Sequence, residues 1–228
     1  GCTIVIKPSQ ITPENCTEFA KILDDIQLPA GVINIVTGRG SVIGNEMAGS
    51  PKIDLVSVTG SVGAGESIMQ AAAKNITKVS LELGGKAPAI VFPDADLEAT
   101  AQWVLDSRIG NNGQICNNAE RLYVHKSIKK EFTELLLKKF EQVRVGDPCA
   151  DHSVDMGPLV EARALESVTA KVENAIKQGA KVLCGGHRLG DKGYFYAPTL
   201  LDNCTQDMDI IHEETFGPVL PIVEFEDI

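Results

Sequence analysis

Cys116 is the residue in this chain with the clearest chemical reading. It lies in the polar, glycine-containing loop Asn111-Asn112-Gly113-Gln114-Ile115-Cys116-Asn117. A structural cysteine usually sits among apolar neighbours, and this one does not. Its thiolate could add to a carbonyl carbon if a local field or a nearby base activates it; an inert structural thiol is the alternative. Cys184 in a strand-like stretch and Cys16 in a helical one have weaker claims. Glu82 is the second candidate. It interrupts the apolar stretch Val79-Ser80-Leu81-Glu82-Leu83 just before Gly84-Gly85. A carboxylate at a strand end is costly to bury without a partner. It reads as a general base with an elevated pKa, or as a solvent-facing member of an alternating strand.

Three further groups could hold a phosphate, a sugar or a flat ring. Gly60-Ser61-Val62-Gly63-Ala64-Gly65 lies between a strand-like and a helix-like segment. Glycines there let the backbone approach a pyrophosphate, and a helix N-terminus favours negative charge. The spacing is neither the GxGxxG fingerprint nor a P-loop, and an ordinary turn reads equally well. Lys7 follows a strand end, where its ammonium could donate to ribose hydroxyls; a surface lysine is the alternative. Glu213, Glu214 and Phe216 precede Gly217-Pro218. They could hold a ribose and press on a flat ring, or be a solvated charge pair beside a core phenylalanine. The histidines at 125, 152, 187 and 212 lack ligand or triad spacing.

These residues must be positioned by an alternating fold. Thr3–Ile6 reads as a strand, followed by a helix begun by Thr12 as N-cap and Pro13 as first residue, with Phe19, Ile22, Leu23 and Ile26 on one face. Val32–Val36 is the next strand, then a short helix near Val42–Met47, a strand at Ile53–Val58, a helix from Gly65 to Lys74 and a strand at Lys78–Leu83. The alternation predicts a parallel sheet covered by helices, with ligands at the C-terminal strand ends. Past Gly84-Gly85-Lys86 come a strand at Ala87–Phe92, a helix at Asp96–Ser107, the Cys116 loop, a strand at Arg121–His125 and a helix at Ser127–Gln142. A helix at Val160–Lys177 follows, with Leu165, Val168, Val172 and Ile176 at helical spacing, then a strand at Lys181–Cys184 and a last strand at Val219–Phe225. The chain opens and closes on strands, so it reads as an internal fragment.

Composition narrows the partners. The 228 residues are 43% hydrophobic, enough to bury a core. Acidic residues number 31 against 21 basic, a formal charge of -10. A phosphate backbone would be repelled overall, so nucleic acid is not expected. No apolar run could span a bilayer. The six cysteines show no CxxC pair and no zinc spacing. At this density they read as free thiols of a reducing cytoplasm, where the three Asn-X-Thr triplets are chance matches.

Taken together, the motifs resemble the aldehyde dehydrogenase superfamily. The distinctive ones are Leu81-Glu82-Leu83-Gly84-Gly85-Lys86, Gly113-Gln114-Ile115-Cys116 and Glu213-Glu214-Thr215-Phe216-Gly217-Pro218-Val219. Lys7-Pro8-Ser9, Leu28-Pro29-Ala30-Gly31-Val32-Ile33-Asn34 and Thr59-Gly60-Ser61 with Gly65 support them, in the family's order and spacing. The resemblance implies an α/β fold: residues 1–84 as part of a Rossmann-like NAD(P)-binding domain and 85–228 as part of an α/β catalytic domain. It implies Cys116 as nucleophile and Glu82 as the base that activates the hydrolytic water. Lys7 and Gln10 then contact the adenosine ribose. Gly60, Ser61, Gly65 and Leu83 fall among the cofactor contacts, Ser61 near the pyrophosphate. Glu214 and Phe216 contact the nicotinamide ribose and ring.

The implied chemistry oxidises a small aldehyde to its acid with NAD or NADP, through a cysteine thiohemiacetal and a thioester. In the family an asparagine side chain upstream of this segment helps hold the oxyanion; neither Asn111 nor Asn112 takes that role. The family's C-terminal active-site segment and oligomerisation strand also lie outside the chain, so the segment could be inactive while its parent, a homodimer or homotetramer, is active. Many NAD-preferring members carry glutamate where this chain has Gln10; neutral glutamine does not repel a 2′-phosphate, so NADP is admissible. Asn117 after the nucleophile, within Cys-Asn-Asn-Ala-Glu-Arg, is most like the lactaldehyde/glycolaldehyde branch. Succinate semialdehyde is the competing substrate. A cysteine acyl-transfer enzyme or esterase, and a catalytically incomplete dinucleotide-binding fragment, are the rivals from other classes.

Overall fold

The structure, a computed structural model, describes residues 1–227. The chain divides into two compact units, Gly1–Leu83 and Gly84–Ile228.

The first unit consists of two parallel strand pairs, each closed by a helix. β1 (Ile4–Ile6) pairs with β2 (Ile33–Ile35) across α1 (Glu14–Asp25). After a π-helical turn at Gly40–Gly44 and the single turn α2 (Asn45–Ala48), β3 (Leu55–Gly60) pairs with β4 (Lys78–Leu83) across α3 (Val62–Ala72). Parallel neighbours require such a crossover. The pairs are separate ladders. Ala48, Val56 and Ile68 form the buried core here, with Ile53, Val58, Ala71 and Val79 packed on it.

Two starts differ from the sequence expectation. Pro13 itself occupies the N-cap of α1, with no side-chain cap bond, and the helix begins at Glu14. Helix α3 begins at Val62 rather than Gly65, because the Ser61 hydroxyl accepts the Ala64 amide and caps it there. Gly63 and Gly65 therefore lie inside the helix and not in a loop before it.

The second unit is a five-stranded sheet between helical layers. Its strands are β5 (Pro88–Val91), β6 (Arg121–His125), β7 (Lys181–Cys184), β8 (Thr199–Cys204) and β9 (Val219–Phe225), in the order β5-β6-β9-β8-β7. All neighbours are parallel except β7 and β8. The sheet is thus mixed. No helix lies between β7 and β8 to carry the chain back across the sheet, so β8 returns antiparallel.

Helices α4 (Leu97–Ile109) and α5 (Lys129–Glu141) contribute Val104, Leu105, Phe132 and Leu136 to the core on one face. Helix α6 (Ala162–Lys177) contributes Leu165, Val168 and Val172 on the other. Adjacent residues Leu200 and Leu201 fall in the two different clusters, as the period of two in a strand requires. On α6 the fourth buried position is Ala175, while Ile176 is 45% exposed, so the buried stripe runs 165, 168, 172 and 175 instead of ending on 176. Helix α4 is capped by Asp96, whose carboxylate accepts the Ala99 amide. It runs two residues beyond the expected Ser107, which brings Arg108 within it. The single turn α7 (Asp209–His212) has no counterpart in the sequence expectation. Among the described residues no helix is long and apolar enough to cross a membrane.

Candidate active site

In the second unit, helix α4 ends in a tight turn that carries the Cys116 loop. Asn111 (φ 47°), Asn112 (φ 59°) and Gly113 (φ 73°) are consecutive left-handed residues, a conformation that asparagine and glycine tolerate best. Polar contacts fix the turn. The Gln114 amide and its side-chain Nε2 both donate to the Asn111 carbonyl, each at 3.1 Å. Gln114 Oε1 accepts the Val160 amide at 3.1 Å, and Asn112 Nδ2 donates to the Pro158 carbonyl at 2.7 Å. Cys116 emerges exposed from this frame. Exposure alone does not single it out, because Cys2 and Cys149 are exposed as well.

The centre of the frame is a charge invisible to motif reading. Arg108 is fully buried. Its Nη1 donates to Asn118 Oδ1 (3.1 Å) and the Ala119 carbonyl (3.0 Å). Its Nη2 donates to the carbonyls of Gly113 (3.0 Å), Thr215 (2.8 Å) and Gly217. Asn118 Nδ2 adds a second bond to the Gly113 carbonyl at 3.0 Å. Burial pulls the guanidinium down to about 10, with Glu120 opposing the shift, and at neutral pH it stays charged. A Cβ at Gly113 would stand 2.3 Å from the Gly217 carbonyl oxygen and 2.6 Å from Arg108 Nη2, so only glycine lets the two backbones meet. The signal that could have found Arg108 is its place in the buried series Ala101, Val104, Leu105, Arg108 on α4: a cation at a core position of a helix needs partners.

A second buried charge group lies on the same segment. Lys86 Nζ is 3.1 Å from Glu120 Oε2 and donates to Thr215 Oγ1 at 3.2 Å. The same Glu120 oxygen accepts the Thr215 amide at 2.9 Å. Desolvation lowers the Lys86 pKa to about 8 despite the Glu120 charge beside it. The expected glutamate pair splits. Glu213 is exposed and bonds Lys171. Glu214 is half-buried and accepts the Gly85 amide at 3.4 Å. Burial raises its pKa and the Glu120 charge adds to that. The Glu214 carboxylate lies where a Cβ at Gly84 would be, which accounts for that glycine. Phe216 is 44% exposed, so it is a surface ring rather than a core one.

The remaining candidates lie in the first unit. Glu82 is exposed at the penultimate position of β4, paired in register with Thr59. Gly60 ends β3, and Ser61 caps α3. Gly65 and Leu83 touch: a Cβ on the glycine would stand 2.8 and 2.9 Å from the leucine methyls. Gly65 therefore allows close helix–strand packing. Lys7 is half-buried just past β1, with its ammonium on the Pro8 carbonyl, and Gln10 is exposed beyond it. Among the described residues no group of histidine, cysteine or carboxylate side chains could hold a metal ion.

A mixed α/β unit that displays a pinned, exposed cysteine, preceded by parallel βαβ pairs, defines a class. The chain belongs to the aldehyde dehydrogenase family, whose model matches residues 1–228. It is 56% identical over 226 residues to lactaldehyde dehydrogenase of Escherichia coli, covering 99% of this chain and 47% of that one. The crystal structure of that enzyme superposes with a TM-score of 0.97 over the same shares. A 3,6-anhydro-L-galactose dehydrogenase solved in complex with NAP is 47% identical, with a TM-score of 0.96 over 99% of this chain and 48% of that chain. Betaine aldehyde dehydrogenase of Staphylococcus aureus, solved with NAD+, is 36% identical with a TM-score of 0.95, over 100% of this chain and 46% of that chain. The chain spans about half the length of the relatives it matches.

Proposed function

We propose that this chain carries the nucleophile of an NAD(P)-dependent aldehyde dehydrogenase that oxidises a small hydroxyaldehyde, lactaldehyde or glycolaldehyde, to its acid. The observation that carries the reading is an exposed thiol on a loop tied through one buried guanidinium to the segment bearing Glu214 and Phe216. The similarity to lactaldehyde dehydrogenase supports the substrate class.

The dinucleotide fits the residues present. A capped helix of 11 residues offers its N-terminus at Ser61. A Cβ at Gly63 in its first turn would meet nothing within 4 Å, so space adjoins that end. Lys7, Gln10, Gly60, Ser61, Gly65 and Leu83 would hold the adenosine and pyrophosphate side, and Glu214 with Phe216 the nicotinamide ribose and ring. Residues 1–84 then act as part of the NAD(P)-binding domain and 85–228 as part of the catalytic domain. When bound, the cofactor supplies the hydride acceptor.

The chain's own residues do the rest. Cys116 sulfur forms a bond to the aldehyde carbon, and the carbonyl oxygen becomes the oxyanion of a thiohemiacetal. A backbone amide at the nucleophile stabilises that charge as it develops. Once the carbon is oxidised, Cys116 holds the acyl group as a thioester. Glu82 takes a proton from water as the water oxygen attacks the acyl carbon. The C–S bond breaks, releasing the acid and returning the thiolate. Asn117 would donate to the substrate hydroxyl, and Gln10 would admit NADP as well as NAD.

Reduced-cofactor formation tests this, with lactaldehyde, glycolaldehyde or succinate semialdehyde and either NAD or NADP. Turnover with the hydroxyaldehydes that vanishes in Cys116→Ala is the expected result. Preference for succinate semialdehyde would replace the substrate. Ester hydrolysis without cofactor reduction would replace the redox chemistry by acyl transfer.

A further inference from the structure

We propose that Arg108 is a positioning residue that locks the nucleophile loop and the Thr215–Gly217 segment into one rigid body. The proposal rests on the dehydrogenase reading above for its meaning in catalysis, and on geometry alone for its existence. The guanidinium reaches carbonyls on both sides of Cys116, at Gly113 and Ala119, and carbonyls at Thr215 and Gly217. Glu214 and Phe216 are interleaved with those last two positions. One planar fork thus sets the register between the thiol and the side chains assigned to the nicotinamide ribose and ring. A planar five-donor group is suited to this, and an ammonium on a flexible stem is not.

Several features agree. Gly113 and Gly217 approach so closely that a Cβ on the former would strike the carbonyl of the latter. Asn118 accepts from Arg108 while donating to Gly113, closing a ring of bonds around the loop. Glu120 grips the same segment from its other side through the Thr215 amide. A buried cation spent on backbone carbonyls is dear in desolvation. Hydride transfer, which tolerates little displacement of the reacting carbon from the ring, gives that cost a use.

The test compares Arg108→Met and Arg108→Lys with the unaltered full chain. Three readouts are taken: hydrogen exchange of residues 111–119 and 213–219 by mass spectrometry, the rate of Cys116 alkylation by iodoacetamide, and kcat with KM for NAD(P). The expected result is faster exchange in both segments together, with β6 and β8 unchanged. The alkylation rate shifts, and kcat falls roughly 10- to 100-fold. Arg108→Lys lies between. Loosening of one segment only would overturn the proposal. So would a lower melting temperature with unchanged kcat and alkylation, which is what a merely structural arginine predicts. Should Arg108→Met fail to fold, Asn118→Ala carries the same readouts. If the unaltered chain reduces no cofactor with any aldehyde, this segment is not a sufficient enzyme and the same turnover assay on the longer parent decides the dehydrogenase reading; exchange and alkylation still decide the lock.

Discussion

Burial sets Cys184 and Cys204 apart from the three exposed cysteines, with Cys16 of intermediate exposure. It pushes the Cys184 thiol up to about 11 and the Cys204 thiol up to about 12, whereas Cys2, Cys116 and Cys149 are exposed. The thiolate is the reactive form. Limited iodoacetamide treatment at neutral pH should therefore label the exposed three and spare Cys184 and Cys204, as read by peptide mass mapping. Labelling of Cys204 ahead of Cys116 would contradict the buried placement. At this scale the sequence exposed Cys116 and Glu82 because each breaks the apolarity of its surroundings. It also marked Glu214 and Phe216 by their tight spacing before a Gly-Pro pair. Arg108 and Glu120 were not legible. Most of their partners are backbone groups, three of them at residues 215 and 217, and no local pattern announces a contact across that span.

The elements carry their own constraints. Gly65 sits in α3 against Leu83, with methyl-to-Cβ spacings of 2.8 and 2.9 Å waiting for any side chain. Gly65→Ala should overpack that contact and cost about 1–3 kcal/mol, measured by denaturant unfolding. A neutral or stabilising result would mean that the leucine rotates away freely. The sequence made most helices and strands of both units legible through periodicity and punctuation. The start of α3 is not legible from its glycines, which favour a loop, because the Ser61 cap decides where the helix begins. The sequence also sets Ile176 on the inner face of α6, where the structure buries Ala175. One residue of drift is enough to turn a side chain from core to solvent.

For the whole molecule, the ionic cluster around Lys86 predicts how stability responds to pH. The Lys86 pKa is lowered from 10.5 to about 8, by desolvation above all. Between those values the unfolded chain holds a proton that the folded chain has lost, so this group makes stability rise with pH across that window. Below it both states are protonated and the contribution is flat. Lys86→Arg keeps a charge that does not titrate there. The stability of the natural chain relative to this variant should climb by on the order of 3 kcal/mol across the window, in denaturant melts. A constant difference would mean that Lys86 holds its proton throughout. The alternation of elements made the parallel crossovers legible, but not the strand order, since periodicity says which face is buried and nothing about neighbours. That order has a consequence during synthesis. β9, made after both β6 and β8, lies between them, where Leu122 meets Ile222 and Leu200 meets Leu220. Until residues 219–225 leave the ribosome, two strands already made present bare hydrogen-bonding edges of the kind that nascent chains share with one another. The sheet closes from its middle, and a holdase bound to the nascent chain would have its work there.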